Sequence, residues 1–337
     1  MVPERMRAAW FGRTGPAREV LELGELPTPA PEPGEVLVRV AVSGINPHDT
    51  KKRSGWTGRP LAAARIVPHA DGAGRIAAVG HGVSKDRIGQ RVWFFRADIV
   101  RPGSGSAAEY ALIPQAHAVP LPDGVDYATG AALGVPGLTA YEAVFSDGAV
   151  SGRTVLVQGG AGAVGAYAIQ LANWNGARVI ATVSSPDKAA FVLARGAEGA
   201  IDYRREDVAR RVLELTGGAG VDRIVEVDLG ANLAIDTAVI KPHGTIASYS
   251  STRVREPIFP YYDLAVKGVV LRLVQGVILP AATREAGSRL LSVLCARKLL
   301  IHPPLHRFPL ARIAEAHEAL ESGTLIGKAE IDVAAVD

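Results

Sequence analysis

The sequence predicts an α/β protein in which a doubly wound parallel sheet is combined with a smaller β-rich domain. Three observations lead to this prediction. From about residue 126 onward, short apolar strands alternate with helices, the pattern of a parallel sheet with right-handed crossovers. Before that point, short strands are interrupted by glycine and proline. Between the two regions, Pro120-Leu121-Pro122-Asp123-Gly124 breaks both patterns and indicates an interdomain crossing.

The β-rich region contains one strong predicted strand at Val36–Val42, and further strands at Arg75–Val79 and Arg91–Phe95. Prolines at alternate positions mark an earlier loop, because proline cannot donate to the ladder of a central strand. These prolines are Pro27, Pro29, Pro31 and Pro33.

The second region predicts strands at residues 154–158, 178–183, 200–203, 223–227 and 244–249, with helices between them. Beyond about residue 270, the pattern predicts helices at 281–298 and 309–322 and a last strand at Lys328–Val333. This tail is too short for a domain of its own, so we expect it to complete the first one. The predicted domains are residues 1–125 with 271–337, and residues 126–270.

Composition excludes several classes of protein. The 337 residues suffice for two domains with sizeable cores, and 48% apolar with 21% charged residues is typical of a soluble globular protein. The net charge of +3 is dispersed, so we expect no nucleic-acid partner. No long apolar window predicts a membrane span, and the first residues lack the apolar core of a signal peptide. The single cysteine, Cys295, cannot form an internal disulfide, so the cytoplasm is the default location.

The most informative segment is the glycine-rich turn after the strand at 154–158. Gly160, Gly162 and Gly165 fit G-x-G-x-x-G, and a predicted helix at Ala166–Gly176 supplies the strand–turn–helix context of that motif. The glycines let a pyrophosphate approach the backbone, and the helix amides favour its negative charge. A purely structural turn is the alternative. The predicted dinucleotide loop is Gly160, Ala161, Gly162, Ala163, Val164 and Gly165.

The end of the next strand favours NADPH over NADH. NAD-binding domains usually place an acidic residue about 20 positions after the glycines, where it binds the ribose 2′-hydroxyl. Here the strand ends in Ser184-Ser185, with Lys188 one helical turn later. Hydroxyls and an ammonium would hold a 2′-phosphate by charge-assisted hydrogen bonds. Asp187 does not restore the acid, because Ser185 as N-cap and Pro186 at the first helical position place it in the first turn of a helix.

Several ordered motifs extend along nearly the whole chain. They are Ser43-Gly44-Ile45-Asn46-Pro47-His48-Asp49-Thr50, Asp71-Gly72-Ala73-Gly74, Gly89-Gln90-Arg91-Val92, Ala108-Glu109-Tyr110, residues 131–141, the glycine loop and Ile201-Asp202-Tyr203. In this combination the chain resembles the zinc-independent medium-chain dehydrogenases/reductases, specifically the NADPH:quinone oxidoreductase branch that includes zeta-crystallin. The resemblance implies a GroES-like catalytic domain around a Rossmann NADP-binding domain, an active site in the cleft between them, and a homodimer.

Position-by-position matching to this family implies further cofactor contacts. Thr139 would contact the nicotinamide-side phosphate, and Lys328, after Gly327, would lie close to the cofactor. Tyr203 would join Ser184 and Lys188 around the 2′-phosphate or adenosine. Simpler alternatives are that Thr139 caps a helix and that Tyr203 is a half-buried strand residue.

The metal ligands of the zinc alcohol dehydrogenases are missing. Asn46 and Val135 occupy positions where those enzymes have cysteines, and Ala70 occupies that of a histidine. Zinc needs three or four converging N, S or O donors, so we expect no metal. His69 is one residue away and is expected to be structural. Asp71 replaces a family glutamate with a shorter arm, so its partner must lie closer.

Without a Lewis acid, an alcohol has no evident means of losing its proton, whereas a quinone accepts hydride and its anion is stabilised by resonance. We expect Asn46 to donate its side-chain amide to the acceptor oxygen and Asp49 to orient it. The alternative is that Asn46 only stabilises a loop. His48 could supply a proton near neutral pH, and solvent could do so equally well.

Trp56 and Tyr261 are the predicted substrate-pocket residues, with Trp56 as a flat apolar wall for a ring and Tyr262 beside Tyr261. The predicted function is NADPH-dependent reduction of quinones or related conjugated carbonyl compounds. Two alternatives stay open: an NADPH-dependent enoyl or 2-alkenal reductase on the same scaffold, and a non-enzymatic NADPH-binding protein. Against RNA binding by the latter, the sequence shows neither a basic stripe nor interleaved aromatic residues.

Overall fold

The computed structural model describes residues 2–336, which divide into two compact units. Unit 1 contains the chain up to Val135, the segment Ser288–Leu299 and the residues from Pro303 onward. Unit 2 contains Pro136–Gly287 and Leu300–His302. The chain crosses between the units after Val135, Gly287, Leu299 and His302, and the first two crossings lie later than the boundaries predicted after residues 125 and 270. At the second crossing the reason is that the sheet of unit 2 includes a further strand, starting at residue 270.

The strands of the described residues, in chain order, are β1 Arg5–Trp10, β2 Glu22–Pro27, β3 Glu35–Gly44, β4 Asp71–Val79, β5 Arg91–Phe94, β6 Tyr110–Pro114, β7 Ala118–Pro120, β8 Thr154–Val157, β9 Arg178–Val183, β10 Gly199–Asp202, β11 Val221–Glu226, β12 Ile240–Ser248, β13 Val270–Leu273, β14 Leu305–Pro309 and β15 Lys328–Asp332. The helices are α1 Ala17–Val20, α2 Pro47–Ser54, α3 Tyr127–Phe145, α4 Ala163–Trp174, α5 Pro186–Leu193, α6 Val208–Leu215, α7 Leu229–Val239, α8 Tyr261–Ala265, α9 Ala281–Ala296 and α10 Ile313–Glu321.

Unit 1 is built on a seven-stranded sheet in the order β14-β15-β3-β4-β5-β7, with β6 also paired to β3. Strand β3 is the centre of this sheet and is buried on both faces. Val36, Val38 and Val40 pack into one apolar cluster, and Leu37 packs into another. A strand covered on both faces reads as a continuous apolar run, which is why the sequence indicated it so strongly.

The register around the end of β3 prepares a polar site. Gly44 pairs with Asp71 at the start of β4 on one side and with Glu330 of β15 on the other. A side chain at Gly44 would place its Cβ 2.9 Å from Cε of Lys328 and 3.2 Å from Cβ of Asp71. Glycine at this position therefore allows Lys328 and Asp71 to approach each other across the strand end.

Unit 2 is a six-stranded sheet in the order β10-β9-β8-β11-β12-β13, and every neighbouring pair is parallel. This is the doubly wound dinucleotide-binding order, so the predicted fold class is confirmed. The chain after β8 leaves the sheet where the two halves meet, which is the position at which such sheets bind ligands. The unpredicted strand β13 has only four residues, three of them apolar, and its side chains are exposed or half-buried.

Helix α4 begins at Ala163 with Gly162 as its N-cap, three residues before the predicted start. The last turn of the glycine motif therefore belongs to the helix itself. Within residues 2–336, no helix is both long and apolar enough to cross a membrane.

Candidate active site

In unit 1, the structure brings three predicted or singled-out residues into one buried cluster: Asn46, Asp71 and Lys328. The Asn46 amide Nδ2 donates to Oδ2 of Asp71 at 2.7 Å, and its Oδ1 accepts from Nζ of Lys328 at 2.8 Å. The ammonium also lies 3.4 Å from Oδ2 of Asp71. All three side chains are almost fully buried. Both ends of the Asn46 amide therefore have partners, and its orientation is fixed.

The second oxygen of Asp71 is also engaged. Its Oδ1 accepts the backbone N–H of Val135 at 2.9 Å, just after Gly134, whose backbone breaks the regular geometry of α3. A Cβ at Gly134 would lie 2.2 Å from that oxygen, so only glycine fits there. Burial raises the pKa of Asp71, while the Lys328 charge and these hydrogen bonds favour its ionised form. The carboxylate is thus held by an ammonium, an amide and a backbone N–H.

Asp49 fixes the backbone of Asn46 and carries a second charge pair. Its Oδ2 accepts the N–H of Asn46 at 2.7 Å, and its Oδ1 lies 3.1 Å from Nε2 of His48. The same imidazole nitrogen lies 3.7 Å from Asp98. Burial alone would lower the pKa of His48, but these two carboxylates outweigh it and raise the pKa to about 10. Burial opposes ionisation of Asp49, and His48 nevertheless holds the pKa of that carboxyl well below its usual range.

The residues at the family's zinc positions do not fit a metal. Asn46 is engaged by Asp71 and Lys328, Ala70 and Val135 offer no side-chain ligand, and an ammonium already lies beside the carboxylate. Elsewhere in residues 2–336, one group has suitable ligand atoms: those of His48, Asp49 and Asp98 lie within 4.8 Å of one another. A cation there would have to displace the proton of a strongly basic imidazole, with Lys52 only 3.8 Å from Asp98.

A buried series of hydrogen bonds, formed by two histidines and two serines, leads to the backbone of Asp71. Nε2 of His317 and Nε2 of His69 are 2.9 Å apart, and Nδ1 of His69 lies 2.8 Å from Oγ of Ser43. The Ser43 hydroxyl lies 2.7 Å from that of Ser106, which donates to the Asp71 carbonyl at 2.6 Å. Because Ser106 donates its proton to that carbonyl, Ser43 donates to Ser106, His69 Nδ1 donates to Ser43, and His317 donates to Nε2 of His69. In this arrangement each donor points toward Asp71 and both histidines are neutral.

His69 adopts a left-handed backbone conformation, with φ of 77°. Burial, with the charges of Lys328 and His48, lowers the pKa of His69 to about 4. Burial and the neighbouring His69 likewise hold the pKa of His317 well below its ordinary value. The structure therefore places His69 in the interior of unit 1, as a hydrogen-bonded residue.

In unit 2, the predicted glycine loop leads from β8 into α4. A Cβ at Gly165 would lie 2.5 Å from the carbonyl oxygen of Gly159, and one at Gly160 would meet three side chains at 2.9–3.0 Å. At Gly162 the nearest atom would be 3.5 Å away, and this residue is exposed. Gly160 and Gly165 thus serve close packing, while the backbone at Gly162 is open to a ligand.

At the end of β9, Nζ of Lys188 lies 3.1 Å from Oγ of Ser184, so the predicted hydroxyl and ammonium are neighbours. Ser185 is the N-cap of α5, and its hydroxyl accepts the N–H of Lys188 at 3.3 Å. The Tyr203 N–H donates to the carbonyl of Val183 at 3.0 Å, which places Tyr203 beside this strand end with its side chain partly exposed. Ser184, Lys188 and Tyr203 therefore lie at the same strand end.

Other predicted residues belong to neither of these hydrogen-bonded groups. Thr139 is buried within α3, after its kink, and is not a helix cap. Trp56 follows α2 in unit 1 with Lys51 Nζ over its ring at 4.6 Å. Tyr261 and Tyr262 are 63% and 79% exposed in unit 2 and stack edge to face. A cavity of about 500 Å³ near the start of α3 in unit 1 contains none of the predicted site residues.

The two-domain architecture and these groups of residues define an oxidoreductase of the medium-chain dehydrogenase/reductase class. Residues 32–123 match the alcohol dehydrogenase GroES-like domain, and residues 163–292 match the zinc-binding dehydrogenase domain. The quinone oxidoreductase of Homo sapiens is 32% identical over 312 residues, which cover 91% of each chain. The chain belongs to the quinone oxidoreductase family, so the predicted family and its enzymatic character are confirmed.

Solved structures agree with this assignment. The quinone oxidoreductase of Pseudomonas syringae pv. Tomato has a TM-score of 0.86 and 30% identity, covering 97% of this chain and 99% of that one. The Escherichia coli quinone oxidoreductase complexed with NADPH has a TM-score of 0.85 and 26% identity, covering 97% and 99%.

Proposed function

We propose that this chain reduces quinones with NADPH and without a metal. The observation that carries the proposal is the buried Asn46–Asp71–Lys328 cluster, in which the amide at a zinc-ligand position is engaged by a carboxylate and an ammonium. The relatives are quinone oxidoreductases, which supports the same substrate class. When bound, NADPH supplies the hydride, and the residues of the chain bind and orient the reactants.

Asn46 is the residue that orients the acceptor. One N–H of its Nδ2 goes to Asp71, and the second is left for a quinone oxygen. The Lys328 ammonium at 2.8 Å polarises the amide through Oδ1 and makes that N–H a better donor. Because Asp71 and Lys328 fix the amide, no reorganisation is needed as negative charge develops on the acceptor.

His48 serves as a fixed charge. With its pKa raised to about 10, Nε2 keeps its proton at neutral pH and balances Asp49, which in turn holds the Asn46 backbone. Solvent then supplies the proton of the reduced acceptor.

The cofactor is held by unit 2. The glycine loop and the first amides of α4 receive the pyrophosphate, where the exposed Gly162 leaves room for it. Lys188 and Ser184 bind the 2′-phosphate. The NADPH complex of the Escherichia coli relative supports this choice of cofactor.

The enzyme acts as a homodimer joined along β13. This strand pairs only with β12 in the described structure, so its outer edge is unpaired. Leu273 on it is 73% exposed, and Val266 and Tyr262 of the neighbouring segment are also exposed. An unpaired, apolar sheet edge is a surface that proteins normally cover.

The test is NADPH consumption with a panel of simple quinones, repeated with NADH, with 2-alkenals and with a chelator. We expect chelator-insensitive turnover of quinones with NADPH. The Asn46→Ala variant should lose turnover while keeping NADPH affinity, and Asn175→Ala is a control away from both groups. Faster reduction of alkenals than of quinones, or loss of activity with chelator, would overturn the proposal.

A further inference from the structure

A second hydrogen-bonded chain, entirely within unit 2, ends at the glycine loop. The N–H of Gly159 donates to Oγ1 of Thr182 at 2.9 Å, and that hydroxyl donates to Oε1 of Gln158 at 2.8 Å. Nε2 of Gln158 donates to Oδ1 of Asp236 at 3.2 Å. Gly159 is the turn residue between β8 and the loop, with φ of 68°. The chain thus connects the turn to a carboxyl on α7.

The chain ends in two buried carboxyl groups, Asp236 and Glu226. Both are fully inaccessible to solvent, and Gln158 and Thr182 are nearly so. Oε1 of Glu226 accepts the N–H of Asp228 and Nδ2 of Asn232, the latter at 2.9 Å. Oε2 of Glu226 and Oδ2 of Asp236 receive no hydrogen bond from any other described group. Two unsatisfied carboxyl oxygens in a dry interior are accounted for when one proton lies between them.

The direction of the chain assigns that proton. Because Oδ1 of Asp236 accepts from Gln158, a proton shared with Glu226 would be carried by Oδ2. Every donor from Gly159 onward then points toward Glu226. Loss of the proton would leave two carboxylates facing each other without water, a strongly unfavourable arrangement.

The groups around the carboxyl pair do not remove the cost of losing its shared proton. Asp228 adds negative charge near Glu226 and is itself paired with Arg253 at 3.1 Å. The Tyr249 hydroxyl is neutral, because burial and Glu226 raise its pKa. Gln158 from the end of β8 and Asn232 of α7 are uncharged. Burial raises the pKa of Glu226, and burial together with the Glu226 charge raises that of Asp236.

We propose that the Glu226–Asp236 pair, holding one proton, acts through Gln158 and Thr182 as a positioning group that keeps the Gly159 turn in the form that receives the dinucleotide. The inference rests on the proposed NADPH function for its binding readout. It adds a set of residues that contact no ligand and yet set cofactor affinity, together with a dependence of that affinity on alkaline pH.

Asp236→Asn is the decisive variant. Asparagine keeps an oxygen for Gln158 and a donor for Glu226, so it imitates the protonated acid at every pH. NADPH affinity of the wild type should fall roughly tenfold or more between about pH 7 and the pH at which the pair loses its proton, whereas Asp236→Asn should lose much less. Thr182→Val, which replaces the hydroxyl with a methyl group, should weaken binding roughly tenfold at neutral pH. Thr245→Val, a buried threonine of β12, is the matched control.

Amide hydrogen exchange of the 156–165 segment in the unliganded protein gives a readout independent of the cofactor. At one pH, the amides of this segment should exchange faster in Thr182→Val than in the wild type. In Asp236→Asn their exchange rate should match that of the wild type. Identical pH profiles of affinity in wild type and Asp236→Asn, or unchanged exchange in Thr182→Val, would overturn the inference. A protein that binds no NADPH at any pH but shows the expected exchange would contradict the proposed function and leave the positioning role standing.

Discussion

The two neutral histidines of unit 1 predict how its stability depends on pH. The His69 pKa of about 4 lies below the value of 6.5 that it has when exposed. Below pH 6.5, His69 of the unfolded chain therefore binds a proton, whereas His69 of the folded protein does not bind one until about pH 4. A depressed histidine pKa means that stability is complete above the unfolded value and falls as pH drops through this window.

The magnitude follows from the same two values. The full difference between about 4 and 6.5 corresponds to a loss of about 3 kcal/mol, of which about 2 kcal/mol is reached by pH 5. His69→Asn is the suitable variant, because asparagine tolerates the left-handed backbone that His69 adopts. It should be less stable than wild type at about pH 8, and this deficit should shrink by about 2 kcal/mol at about pH 5.

Urea unfolding followed by tryptophan fluorescence measures this, because Trp10 and Trp93 are buried in unit 1. His48→Gln gives a comparison of opposite sign. With its pKa raised to about 10, His48 stabilises fully below pH 6.5 and loses that contribution as pH rises toward 10. Parallel stability profiles of wild type and His69→Asn between about pH 8 and pH 5 would refute the assignment of a neutral, buried His69.

Further predictions concern the cofactor loop and the cluster. Lys188→Ala should weaken NADPH binding roughly tenfold and leave NADH binding nearly unchanged, measured by titration calorimetry; equal losses for both cofactors would contradict the 2′-phosphate role. Gly165→Ala should destabilise unit 2 by about 1–3 kcal/mol in thermal or urea unfolding because its Cβ would lie 2.5 Å from a carbonyl oxygen. Gly162→Ala should keep stability within about 1 kcal/mol and weaken NADPH binding instead. Lys328→Met should cost about 3–5 kcal/mol, since it leaves Asp71 buried without its ammonium; a variant as stable as wild type would mean that Asp71 is neutral.

Local patterns explain what the sequence could predict. The glycine turn, the Ser185 cap and the Lys188 side chain lie within one strand–turn–helix–strand–helix segment, where spacing along the chain sets the geometry. The alternation of strands and helices likewise predicted the parallel, doubly wound sheet. Such features need no knowledge of distant contacts.

Contacts between distant parts of the chain explain what the sequence could not predict. The short arm of Asp71 indicated close partners, but its charged partner is Lys328, 257 positions later. His317, 248 positions from His69, carried no local signal of its own. Glu226 and Asp236 resemble ordinary acids in an alternating segment, and only the structure shows that both are buried. Strand β13 was missed because an apolar run of four residues is too short for its pattern to distinguish a strand from other structures.

The open edge at β13 has a consequence for how the protein behaves on dilution. If a second copy covers this edge, part of the free energy that maintains unit 2 comes from association and follows mass action. The melting temperature should then rise with protein concentration, and a dilute preparation should expose Leu273 and its neighbours to unrelated sheet edges. The concentration at which the protein is stored would therefore influence the recovered activity of this enzyme.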